Sequence, residues 1–104
     1  MKISCVLPVY NTAFALPETL ETLLVQDYDD YEIIVIDDGS TDDISFLKDH
    51  YVEKGVIWLS NDNRRGAAYS RNVGNAAAKG DVIAVCDAGD IYTQDRDWET
   101  PFST

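Results

Sequence analysis

Four short runs rich in β-branched residues punctuate the chain: Lys2 to Leu7, Glu32 to Ile36, Val56 to Leu59 and Asp81 to Cys86. Their near-continuous apolarity, rather than strict alternation, is the pattern of strands covered on both faces. Between the first two, from Leu16 to Gln26, the residues Leu16, Leu20, Leu23 and Leu24 fall on one helical face, with Pro17 suited to a first turn. A second helix is expected from Asp42 to Glu53 on the apolar positions Ile44, Phe46, Leu47 and Tyr51, and a third from Gly66 to Ala78, stopped by Lys79 and Gly80. The order βαβαβαβ predicts an α/β fold with a mainly parallel sheet, flanking helices and right-handed crossovers. In the strand order 3-2-1-4 the apolar VIAVC run would lie at a sheet edge, which calls for a cover. A partner copy of the chain or the tail from Thr93 to Thr104 would supply it, and a central-type strand at an edge suggests the front half of a larger domain.

Composition narrows the function classes. With 104 residues the chain suits one core, and its formal charge of −11, from 19 acidic against 8 basic side chains, repels nucleic acid and anionic lipid. Its apolar stretches are of strand length, below the roughly 20 residues of a membrane span. The start MKISCVLPVYN lacks a signal-peptide core. The expected location is therefore cytoplasmic, with peripheral attachment to the inner membrane face in a longer polypeptide. Cys5 and Cys86 each sit inside an apolar run, without metal-ligand spacing, and read as buried thiols.

Three polar clusters fall at expected strand ends: PVYN (Pro8 to Asn11), DDGSTD (Asp37 to Asp42) and DAGD (Asp87 to Asp90). Ligands of open parallel sheets sit beyond these ends, near the reversal of strand order. Each cluster also has a structural reading. Pro8 would end strand pairing and Asn11 favours a turn, while Ser40, Thr41 or Asp42 would cap the second helix. Asp37 and Asp38 stand out, because adjacent carboxylates repel and neither is needed for the turn. Tyr10 offers a ring face to a base, and Arg64 and Arg65 precede a helix start where a diphosphate would find cations. The DAGD turn offers carboxylates to a divalent cation, or simply caps.

The segments CVLPVYNTAFALPETLETLLVQDYDDYEIIVIDDGSTDD and NDNRRGAAYSRNVGNAAAKGDVIAVCDAGDIY together resemble the family 2 glycosyltransferases, inverting enzymes of the Rossmann-like GT-A fold with nucleotide-sugar donors. The likeness runs from Lys2 to about Arg96, so 1–96 is taken as the donor-binding portion and 97–104 as an irregular tail. By that resemblance Pro8, Val9 and Tyr10 line the nucleoside pocket and Asp38 reads the base. The nucleotide-binding set is then Pro8, Val9, Tyr10, Asn11, Asp37, Asp38, Arg71 and Asp87, with Asp87 and Asp90 as ligands for Mn²⁺ or Mg²⁺ in a DXD-like loop. Gly89 stands where the family carries a ligating carboxylate, which makes a weakened metal loop. The donor expected is a UDP-sugar and the acceptor a saccharide or lipid-linked molecule. Nothing after Arg96 matches the family's acceptor half or its general base, so transfer is expected only in a longer polypeptide. The alternative is a non-catalytic nucleotide-binding or interaction module of the same fold. A phosphorylation receiver or a dinucleotide-binding domain fits poorly, because PVYN follows the first strand where an acidic pair or GxGxxG would be needed.

Overall fold

A computed structural model describes residues 1–25 and 30–86. Strands β1 (Ile3–Val9), β2 (Tyr31–Asp37), β3 (Ile57–Ser60) and β4 (Val82–Val85) form one sheet, all parallel, in the order β3-β2-β1-β4. Helices α1 (Leu16–Leu24), α2 (Ser45–Glu53) and α3 (Ala67–Ala77) make the connections. The chain steps outward from β1 to β3, then returns to the far side of β1 for β4. With right-handed crossovers that reversal puts α3 on the opposite face from α1 and α2.

The strands show why their sequences are apolar throughout. Cys5, Leu7, Ile33 and Val35 point to the α1 and α2 face, where they pack with Leu16, Leu20, Leu23, Leu47 and Tyr51. Val6, Ile34 and Ile36 point to the other face, against Val73, Ala77 and Ala78 at α3. Ser4 and Glu32, register partners on that second face, are bonded to each other, and they accept the N–H groups of Gly80 and Lys79 respectively. These bonds fasten the chain between α3 and β4. Both cysteines are buried.

Pro8 does not end the pairing of β1. It lies within the strand, opposite Ile36, and Val9 pairs with Asp37. Val9 turns its carbonyl toward β2, where it accepts the N–H of Asp38, so Pro8 faces the β4 side. There the last described bond of the ladder runs from the Cys86 N–H to the Val6 carbonyl, and Pro8, which has no N–H, cannot donate the next one. Helix α2 starts at Ser45, later than Asp42, and carries no side-chain cap. Ile83 and Val85 of the edge strand are exposed.

Candidate nucleotide site

Register builds the site. Val9 is level with Asp37, and Asp37 with Ser60, so the next residues of three neighbouring strands, Tyr10, Asp38 and Asn61, emerge side by side at the carboxyl ends. The N–H of Asn61 donates to the Asp37 carbonyl, which carries the alignment one residue past the strands.

The polar residues after β1 and β2 are spent on joining the two loops. The Asn11 side-chain oxygen accepts the N–H groups of Thr41 (2.8 Å) and Asp42 (3.2 Å), and the Asn11 N–H donates to Ser40 Oγ. Asn11 holds this position with a left-handed φ of 51°, which asparagine tolerates better than most residues. Asp42 accepts the Ala13 N–H at 3.0 Å, just ahead of α1. Ser40, Thr41 and Asp42 thus bind the neighbouring loop instead of capping α2. Asp37, which the sequence reading assigns to nucleotide binding as not needed for the turn, accepts the Ser40 N–H within that turn at 3.0 Å.

Asp38 is 3% exposed, and its carboxylate is the hub of the second loop pair. One oxygen accepts the Arg65 N–H (2.7 Å) and the Asn61 side-chain amide (2.9 Å), and the other accepts the Gly66 N–H (2.9 Å). Burial pushes its carboxyl upward, but the bonds from Arg65, Asn61 and Gly66, with the Ser70 hydroxyl, outweigh burial and hold it below the ordinary aspartate range. Gly66 immediately precedes α3, so the anion at this helix N-terminus is the protein's own Asp38. Gly39 brings the two loops into backbone contact. It has φ of 71°, and a Cβ there would lie 2.7 Å from the Arg64 nitrogen and the Asn63 carbonyl carbon.

Beside this hub lies a hollow of roughly 90 Å³ lined by Pro8, Val9, Tyr10, Asp38, Arg64 and Ala67. The Arg64 guanidinium carbon stands 4.0 Å from the centre of the Tyr10 ring, and Arg65 leans the other way, 5.7 Å from the Tyr69 ring. The hollow brings together Pro8, Val9, Tyr10 and Asp38 from the sequence reading. Asn11 and Asp37 are outside the lining and fasten the loops that follow β1 and β2, and Arg71 lies on the exposed surface of α3, also outside the lining. Arg64 and Ala67 were not foreseen as lining; the NRRG segment signalled a cation, but its stacking on Tyr10 depends on tertiary contact. Asp87, Gly89 and Asp90 lie outside the described residues, as does the tail. Among the described residues no group of three or more histidine, cysteine, aspartate or glutamate side chains is placed to hold a metal. No described helix is long and apolar enough to cross a membrane.

An open sheet with a reversal of strand order and a hollow at the carboxyl ends of its strands places the protein among the doubly wound α/β folds, whose ligands bind at those ends. Residues 4–100 match the family model described as glycosyl transferase family 2, and the chain belongs to that family. It is 40% identical over 94 residues to the glycosyltransferase GlyG of Streptococcus pneumoniae, a match that covers 88% of this chain and 31% of GlyG. Among solved structures it is similar to S. aureus TarS 1-349 in complex with UDP, with a TM-score of 0.83 and 28% identity over 91% of this chain and 29% of that one. The mannosyltransferase PcManGT of Pyrobaculum calidifontis, in complex with GDP-Man and Mn²⁺, gives a TM-score of 0.81 and 26% identity over 88% of this chain and 28% of that one. These neighbours make the fold GT-A. The chain spans 31% of the length of GlyG and 29% of TarS 1-349, and as little as 14% of another relative, an uncharacterized glycosyltransferase of Rickettsia bellii.

Proposed function

We propose that this chain is the donor-binding portion of an inverting glycosyltransferase that takes a UDP-sugar, with the nucleoside seated in the hollow formed by Pro8, Val9, Tyr10 and Asp38. The observation that carries the reading is the hollow itself: an aromatic face, a buried carboxylate held ionised and a cation converge at the strand ends of a family 2 glycosyltransferase. TarS, which shares the fold, was solved with UDP. The Tyr10 ring would stack on the base, which is worth about 1–3 kcal/mol, and Asp38 would accept from its N–H edge. Asn11 and Asp37 fix the loops that bear these two residues. A chain of formal charge −11 does not attract a diphosphate through its overall field, so local cations must do so. Because Asp38 already occupies the N-terminus of α3, the diphosphate is expected beyond it, toward Arg71 and the Asp87 to Asp90 loop.

Asp87 and Asp90 are the residues that would hold Mn²⁺ or Mg²⁺, which would supply charge stabilisation for the departing diphosphate. With Gly89 in the loop, free metal should bind weakly and chiefly alongside the phosphates. No residue of the chain is given the role of general base. The acceptor would be a saccharide or a lipid-linked molecule, the latter met at the cytoplasmic face of a membrane. Gly89 also favours a second reading, a module that binds nucleotide without transfer. Calorimetry with UDP, with and without Mn²⁺, followed by a donor-hydrolysis assay tests both. UDP binding strengthened by Mn²⁺ with slow hydrolysis supports the transferase, metal-independent binding without hydrolysis supports the module, and no binding at millimolar UDP removes both.

A further inference from the structure

We propose that Arg64 is a gate on the donor pocket: in the free protein its guanidinium lies on the Tyr10 face that the nucleobase uses, and the base displaces it. This rests on the reading of the hollow as the nucleoside site. The guanidinium carbon is 4.0 Å from the ring centre, stacking distance, so the ring has no second layer free on that side. Arg64 and Tyr10 both line the hollow, and its volume of roughly 90 Å³ falls well below the roughly 300 Å³ at which small-molecule pockets begin.

The backbone under Arg64 has no room to withdraw. Gly39 is packed against the backbone of Asn63 and Arg64, and the next two N–H groups, of Arg65 and Gly66, are held by Asp38. Space for a base therefore comes from the side chain alone. Arg64 is exposed and can swing outward about its own single bonds while the turn stays in place. The balance favours opening. An exposed cation–π contact is worth roughly two- to fivefold in an equilibrium constant, whereas stacking a base on an aromatic ring is worth about five- to 150-fold. The arginine keeps the ring covered until a base arrives and then yields to it.

Binding of uridine, which has no phosphates to meet the arginine's charge, isolates the gate. The Arg64→Ala protein should bind uridine roughly two- to fivefold more tightly than the unsubstituted protein, with Arg64→Lys changed in the same direction but less. By NMR, the Arg64 side-chain methylene protons should be shielded by the Tyr10 ring in the free protein and lose that shielding as uridine is added. Equal or weaker uridine binding by Arg64→Ala, or shielding that persists at saturation, overturns the gate while leaving the donor-pocket reading intact. Failure of both proteins to bind either uridine or UDP overturns the two together.

Discussion

The structural job of Asp38 and the base-reading role proposed for it make demands that agree. As the acceptor of two consecutive backbone N–H groups it fixes the turn before α3, and the same bonds keep it ionised where a base would meet it. Asp38→Asn tests the first job, because an amide oxygen can replace only part of the acceptor set and its NH₂ group would face backbone donors. The expected cost is about 1–3 kcal/mol of stability, read as a lowered thermal midpoint and faster exchange of the Arg65 and Gly66 amide protons. UDP affinity should fall as well. A melting curve and amide protection indistinguishable from those of the unsubstituted protein would show that the turn stands without this carboxylate.

Among the elements, α3 depends on a close approach. Gly74 is buried where the helix crosses β1 and β2, and a Cβ there would lie 2.5 Å from Val6 Cγ1 and 2.7 Å from Ile36 Cδ1. Alanine would gain up to about 1 kcal/mol of helix propensity but overpack two branched, fully buried side chains, at a cost of typically 1–3 kcal/mol. Gly74→Ala is therefore expected to be destabilising by about 1 kcal/mol net, a loss of about 4–8 °C in thermal midpoint for a domain of this size. A midpoint that rises would mean the helix can shift without loss. The elements themselves were legible, since doubly buried strands and amphipathic helices write period and length into the chain. Their ends were less so. The polar run after β2 reads locally as a cap for α2, but its bonds go to Asn11 and Ala13 on another loop, some 30 residues distant in sequence. Pro8 misleads for the same reason, because whether a proline interrupts a strand depends on which neighbour its nitrogen faces. Of the site, Tyr10 and Asp38 could be picked out by type and place, while the contact of Arg64 with Tyr10 exists only once β1 and the turn before α3 are side by side.

For the whole molecule, acid is expected to act at both ends of the sheet at once. At one end Asp38 has its carboxyl held down as described. At the other, burial raises Glu32, but the bonds from the Ser4 hydroxyl and the Lys79 N–H, with the charges of Lys2 and Lys79, outweigh it and lower the carboxyl below its usual range. A group whose carboxyl is depressed in the folded state releases its proton more readily there than in the unfolded chain. The stability it contributes is therefore complete above the unfolded value, near pH 4, and drains away as pH falls through the lower folded value. Both groups give the same sign, so the thermal midpoint should hold through neutral pH and drop below about pH 4. A formal charge of −11 adds a separate, screenable contribution at pH 7: self-repulsion that added salt weakens, so the midpoint at neutral pH should rise between low and physiological ionic strength. Melts against pH at two salt concentrations separate the two. In Glu32→Gln the acid drop should be shallower while the salt response at pH 7 stays almost unchanged. An acid limb equally steep in that variant would mean that the Ser4, Glu32 and Lys79 bonds contribute nothing that depends on charge.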